Sequence, residues 1–198
     1  MKKSYISWKY QQDVLITNPS STEGFQGSFI LSWKPGMAGD FRDIRFSDVR
    51  GNEINYHIEP SSLLNFRSCR VWLALPANAK KIYFHYGNGG AKSQSNGPLV
   101  FEFIDAFSGG LNTNVWTKVH GVSSVSGGIL TLESTTLNSI LQSKQTFGTN
   151  LIVEARACHA QTNRMIAGFR DTDTQKAAAW HGPVVGDSNY YDYRFTHN

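Results

Sequence analysis

Cys69-Arg70-Val71-Trp72-Leu73-Ala74-Leu75-Pro76, followed shortly by Lys80-Lys81-Ile82-Tyr83-Phe84-His85-Tyr86-Gly87, decides the fold. In the first run Cys69, Val71, Leu73 and Leu75 alternate with Trp72 and Ala74. In the second, Ile82, Phe84 and Tyr86 alternate with Tyr83 and His85. Successive side chains of an extended strand point to opposite faces, so a period of two marks a strand with one buried face. The pattern recurs at Glu53–Glu59, with Ile54, Tyr56 and Ile58 on one side, and at Leu151–Ala157, with Leu151, Val153, Ala155 and Ala157. Turn punctuation separates the runs at Asn18-Pro19, Pro35-Gly36, Arg50-Gly51-Asn52 and Gly87-Asn88-Gly89-Gly90. Helical periodicity is confined to one short turn at Thr174–Ala179. Short strands spaced about 8–12 residues apart, with no crossover helices, predict an all-β chain built from antiparallel, jelly-roll-like β-sandwich modules.

The 198 residues are enough for one large or two small domains with a real core. At 40% hydrophobic and 17% charged, the chain is globular rather than disordered. The net charge of +4 comes from 19 basic and 15 acidic residues, and only Lys2-Lys3 and Lys80-Lys81 adjoin. Nucleic-acid binding needs a focused basic stripe, so scattered charge of this kind argues against it. Cys69 lies in an alternating strand, which predicts a buried free thiol, and Cys158 stands far from it in another domain. After Met1-Lys2-Lys3 no apolar run follows of the kind a secretory signal requires, and no stretch approaches the ~20 apolar residues of a membrane span.

A boundary is expected at Asn96-Gly97-Pro98, giving domains 1–97 and 98–198. In the first, Trp8-Lys9-Tyr10, Asp40-Phe41-Arg42-Asp43-Ile44-Arg45-Phe46, Gly51, Val71-Trp72-Leu73 and Tyr83-Phe84-His85-Tyr86-Gly87-Asn88 occur in a characteristic order. Together they resemble an uncharacterised β domain of archaeal and bacterial surface proteins and some viral ones. His85 departs from the aromatic residue more usual there. In the second, Phe103-Ile-Asp105-Ala-Phe107-Ser-Gly109-Gly110-Leu111, Trp116, Gly127-Gly128 and Ser143-Lys144-Gln-Thr-Phe147 lead to Leu151-Ile-Val-Glu154-Ala-Arg156. This order is similar to the opening strands of concanavalin-like sandwiches, which include laminarinase-type glycosidases and laminin-G-like modules. The resemblance implies architecture and a surface setting. The Glu-x-Asp-x-x-Glu acids of the glycosidases have no counterpart here.

The remaining motifs divide into structural and functional candidates. Phe41 and Ile44 cannot share a face of a regular strand, so a bend near Arg42 is expected, with Asp43 and Arg45 as a potential ion pair. Asp40, Asp43 and Asp48 could instead gather around a structural calcium, although the usual Asp-x-Asp-x-Asp-Gly spacing is missing. No other cofactor is expected. Gly87-Asn-Gly-Gly-Ala-Lys92-Ser93 superficially suggests a phosphate loop, but Gln94-Ser95-Asn96-Gly97-Pro98 cannot open the helix such a loop needs, so it reads as a flexible turn. Glycosidases hold two carboxyls about 5–5.5 Å apart for retention or about 6.5–9.5 Å apart for inversion. Asp171-Thr-Asp173 has neighbouring acids but no third one follows.

Among the aromatics, Trp8, Trp72 and Trp116 lie within strand patterns and are read as core. Trp180 with His181, and Tyr190, Tyr191 and Tyr193 around Asp192, are the candidate ligand-binding set, because flat rings beside Asp, Asn or His suit the apolar and hydroxylated faces of a sugar.

Concanavalin-like sandwiches are longer than the second domain, so that module is expected to be incomplete. The chain would then be a fragment, a reduced sandwich, or a sheet completed by a neighbouring copy. The leading expectation is a non-catalytic recognition or adhesion module in a virion or on a cell surface. Its partners would be a glycan or surface receptor and other chains of an assembly, among them copies of itself. The alternatives are a purely structural spacer or decoration subunit, and the first part of a glycoside hydrolase whose acids lie beyond Asn198.

Overall fold

A computed structural model of the chain describes residues 7–59, 67–133, 139–148, 151–157 and 191–197, with 156, 157 and 191–197 described by backbone alone. These residues form antiparallel β-sheets in two compact units, Met1–Ala106 and Phe107–Asn198.

The first unit is a β-sandwich. Strands β1 (Tyr10–Leu15), β3 (Arg45–Ser47) and β6 (Lys81–Tyr86) make one sheet in the order β1-β6-β3. Strands β2 (Phe25–Ser32), β4 (Tyr56–Ile58) and β5 (Ser68–Leu75) make the other in the order β2-β5-β4. The two clearest alternating runs of the sequence are the central strands β5 and β6. A central strand is paired on both sides and keeps one face against the core along its length. Cys69, Val71, Leu73 and Leu75 point inward from β5, and Ile82, Phe84 and Tyr86 from β6.

Phe46 joins the layers: it stacks on Phe84 at 5.3 Å and meets Tyr56 at 5.5 Å and Phe29 at 6.0 Å edge-on from the facing sheet. Full burial of one such side chain contributes about 1.5–3 kcal/mol. Cys69 is the buried free thiol expected from the sequence, and burial pushes its pKa up to about 12. It is therefore protonated and unreactive at neutral pH.

The expected bend near Arg42 is present. Phe41 has φ 57, the Ile44 amide donates to the Phe41 carbonyl at 3.3 Å, and both side chains are fully buried because a turn lies between them. Regular pairing begins only at Arg45. The run from Glu53 to Glu59 is likewise shorter than its alternation suggests: only Tyr56–Ile58 is strand, and Glu53 is reached by an isolated bridge from Ser47.

The reading of Trp8, Trp72 and Trp116 as core is corrected, because each is only half-buried. Trp72 lies on the outward face of β5, opposite the parity of Val71 and Leu73. It is covered by the segment Gly97–Ile104, whose Phe101 packs edge-on against Trp72 at 5.3 Å and His57 at 5.7 Å. Gln26 Nε2 donates to the Val100 carbonyl at 2.9 Å, and a Cβ on Gly97 would meet Ile104 at 2.8 Å. This strap crosses the outer side of all three strands. The division between units consequently falls after Ala106 rather than at Asn96–Pro98.

Among the described residues, the second unit shows two-stranded antiparallel ribbons. Strand β7 (Trp116–His120) pairs with β10 (Ile140–Ser143), β8 (Val122–Ser126) with β9 (Ile129–Glu133), and β11 (Leu151–Ala157) with β12 (Tyr191–His197). Gly127 and Gly128, at φ 57 and 79, supply the two left-handed residues that a tight β8–β9 hairpin requires. Phe107 stacks on Trp116 at 5.8 Å, which accounts for the half-burial of that tryptophan. In the third ribbon, Glu154 stands opposite Arg194 and Arg156 opposite Asp192.

Candidate functional site

Each of the three aspartates considered for calcium makes its own local hydrogen bonds. Asp40 accepts from the Arg42 amide and guanidinium, and Asp48 accepts from the amides of Arg50 and Asn52 and from Asn52 Nδ2. At Asp40 desolvation raises the pKa, but the hydrogen bonds and charge from Arg42 outweigh it and the net shift is downward. Asp48 follows the same logic, with bonds from Asn52 and Arg50 overcoming desolvation. Asp43 is fully buried, and its two carboxylate oxygens take the amides of Ala38 and Gly87, each at 2.9 Å. No group of three potential ligands gathers among the described residues.

Asp43 and Arg45 do not serve one another as an ion pair, as the sequence reading allowed. Each is satisfied mainly by backbone. Arg45 donates to the carbonyls of Arg42, Ile44 and Lys92 and to the Tyr56 hydroxyl, and its guanidinium lies 5.3 Å from the Trp8 ring. Tyr56 Oη in turn donates to the Ile44 carbonyl and accepts from the Gln94 amide. The Asn96 amide donates to the Tyr56 carbonyl, and the Ile58 amide to Ser95 Oγ. The loop after β6, read as a flexible turn, is thus pinned by buried polar groups from β3 and β4. The sequence could not show this because every partner is distant along the chain.

Among the described residues, the face of β1-β6-β3 turned away from the core carries a set of recognition groups on its β1 side, while Arg45, Ser47 and His85 on its β3 side are buried. Tyr83 sits at its centre on β6, with Asp13 opposite it on β1 and Ser47 opposite it on β3. Lys81 Nζ lies 5.0 Å from the Tyr83 ring centre and donates to Asp13 Oδ2 at 3.4 Å. Gln11 pairs across from His85, whose ring is 6.4 Å from that of Tyr83. Gln11 and Asp13 are exposed and Tyr83 half-buried. These groups give a flat ring bordered by an amide, a carboxylate and an ammonium. The sequence signal was the off-face of the Lys80–Tyr86 alternation, where two aromatic residues occupy the outward parity.

His85 is almost wholly buried, and its Nε2 shares a 2.9 Å hydrogen bond with Ser47 Oγ. Desolvation lowers its pKa below the ordinary value. His57 is lowered too, by desolvation acting against an opposing pull from Glu59. A histidine whose folded pKa is depressed binds its proton more readily when unfolded. Its stabilising contribution is therefore complete above the unfolded pKa, about 6.5, and is lost as pH falls toward the folded value. The unfolding free energy should be flat from pH 8 to about 7 and then decline toward pH 5, above the range where carboxylates titrate. His85→Gln should reduce that slope. A slope unchanged in both His85→Gln and His57→Gln would contradict the assignment.

Of the residues expected to bind ligand, Trp180, His181 and Tyr190 lie outside the described residues, as do Asp171-Thr-Asp173, Cys158 and the turn at Thr174–Ala179. Tyr191 and Tyr193 are on β12, opposite Ala157 and Ala155, so by strand parity they share one face of the ribbon while Asp192 belongs to the other. Among the described residues no helix is long and apolar enough to cross a membrane.

The family model for a domain of unknown function (DUF2341) matches residues 40–119, a span that contains β3 to β6 and the strap and runs on through most of β7. No curated protein and no solved structure matches the chain. The first-half resemblance therefore stands at the level of that domain. The microbial or viral surface setting and the concanavalin-like likeness rest on the sequence alone.

Proposed function

We propose that the chain is a non-catalytic recognition module that binds a glycan through the outer face of β1-β6-β3, as part of a virion or cell-surface assembly. The observation that carries this reading is Tyr83 in its setting: a ring at the middle of an outward sheet face, with Gln11, Asp13 and Lys81 around it. Sugar C–H faces pack on such a ring, while hydroxyls exchange water for the amide, carboxylate and ammonium. Lys81 and Asp13 are solvent-exposed partners, so their mutual pairing is weakly held and readily exchanged for a ligand.

The 198-residue chain should bind a subset of oligosaccharides on a glycan array. Tyr83→Ala should weaken that binding about tenfold, the equivalent of ~1.4 kcal/mol for a lost stacking contact. Failure to bind any glycan would sink the reading. Binding that survives Tyr83→Ala but falls in Trp180→Ala or Tyr191→Ala would move the site to the second unit.

A further inference from the structure

The two sheets of the first unit have four edges, and they are treated unequally. The edge at β4 is covered by the loop after β6, through the Asn96 amide to the Tyr56 carbonyl and the Ile58 amide to Ser95 Oγ. The edge at β3 is covered by its own return segment, through Ile54 to Phe46 and Asp48 to Asn52. The edge at β1 carries the exposed charge of Asp13. Among the described residues, the edge at β2 has neither device. Phe25-Gln-Gly-Ser-Phe-Ile-Leu-Ser32 is eight residues long without a charge or a proline, and Ile30 is 60% exposed. Natural sheets protect long edges with charge, proline or a covering segment, and an edge left bare is a template for another strand.

The backbone direction can be read from the ladder. β2 and β5 pair with Phe29 opposite Val71 and Leu31 opposite Cys69, and the Trp33 amide continues that series by donating to Arg67 at 2.7 Å. The odd-numbered residues therefore turn their amides and carbonyls toward β5. Those of Gln26, Ser28, Ile30 and Ser32 turn to the open side. All four of these residues are exposed.

We infer that β2 is a self-association edge, at which a second copy of this chain adds its own β2 in antiparallel register with Ser28 opposite Ser28. The occupant must be an extended backbone, because only that satisfies a row of amides and carbonyls that have no partner among the described residues. It must also continue the two faces of the sheet, with apolar residues at one parity and mostly polar residues at the other. β2 itself has that pattern, and being uncharged it meets its own copy without repulsion. Antiparallel partners share a face, so the register must pair odd with odd and even with even. Centring on Ser28 does this, and sets Phe29 of one copy beside Gly27 of the other, where an aromatic ring covers a residue with no side chain. Gln26 then stands opposite Ile30. One strand pair is a small interface, so the dimer forms reversibly at high concentration. The inference does not depend on the glycan reading.

Sedimentation of the full chain across a wide concentration range is expected to show a monomer–dimer equilibrium. Ser28→Lys alone and Ser28→Glu alone should each abolish the dimer, since like charges directly opposite one another are destabilising. Ser28 is exposed and its amide points away from β5, so the melting curves should match that of the parent. An equimolar mixture of the two variants should dimerise at least as well as the parent chain. A parent that stays monomeric, variants that still dimerise, or a mixture that stays monomeric would each overturn the inference.

Discussion

Asp43→Ala is expected to lower the unfolding free energy by about 2–5 kcal/mol, because it strands the part-buried amides of Ala38 and Gly87 and each unpaired donor costs about 1–3 kcal/mol when fully buried. The Asp43 side chain is fully enclosed, while the two amides that it holds are part-buried. The Asp43 carbonyl also accepts from Trp8 Nε1 at 2.9 Å, so this one residue ties the approach to β1, the turn before β3 and the exit from β6. Asp43→Asn keeps the shape and one acceptor oxygen, and should fall between the parent and the alanine variant. Chemical denaturation monitored by tryptophan fluorescence would measure both. A loss under about 1 kcal/mol in Asp43→Ala would show that the loops do not depend on this carboxylate.

The second large effect belongs to Gly87. It has φ 89, and a Cβ there would lie 2.7 Å from Tyr10 Cδ2. Gly36, at φ 95, would place a Cβ 2.6 Å from Cε2 of the same ring. Tyr10 therefore has a glycine in close approach at each of these points while it stacks on Tyr86 at 4.9 Å. Gly87→Ala combines left-handed strain of roughly 1–2 kcal/mol with overpacking of roughly 1–3 kcal/mol, or about 2–5 kcal/mol together. Gly51→Ala separates the two contributions: its φ is 83, yet nothing lies within 4 Å of the added carbon. It should cost only the backbone strain, roughly 1–2 kcal/mol. Equal losses at both positions would mean that the Tyr10 contact contributes nothing.

The sandwich was legible wherever a strand is central. β5 and β6 have neighbours on both sides, so their inward residues are apolar without exception and the period of two is clean. Leu151–Ala157 was also placed correctly as a strand. Legibility failed where burial comes from segments distant in sequence. Trp72 looked like core because a tryptophan inside a strand usually is, but it faces outward and is shielded by Phe101 in a strap that carries no strand or helix pattern of its own. Asp43 and Arg45 looked like an ion pair from their spacing, yet their partners are backbone groups on loops that no side-chain pattern encodes. The Tyr83 face could have been found by asking which residues the β6 alternation leaves outside. Nothing in the sequence shows that Asp13 on β1 stands opposite Tyr83, since that depends on the β1–β6 register.

The passive glycan face is tested most directly by titrating the isotopically labelled chain with an array-selected oligosaccharide while following both the protein amides and the sugar by NMR. Shifts are expected to cluster at Gln11, Asp13, Lys81 and Tyr83, with the oligosaccharide recovered intact after prolonged incubation. New reducing ends on the sugar, or shifts confined to residues away from the β1-β6-β3 outer face, would contradict it.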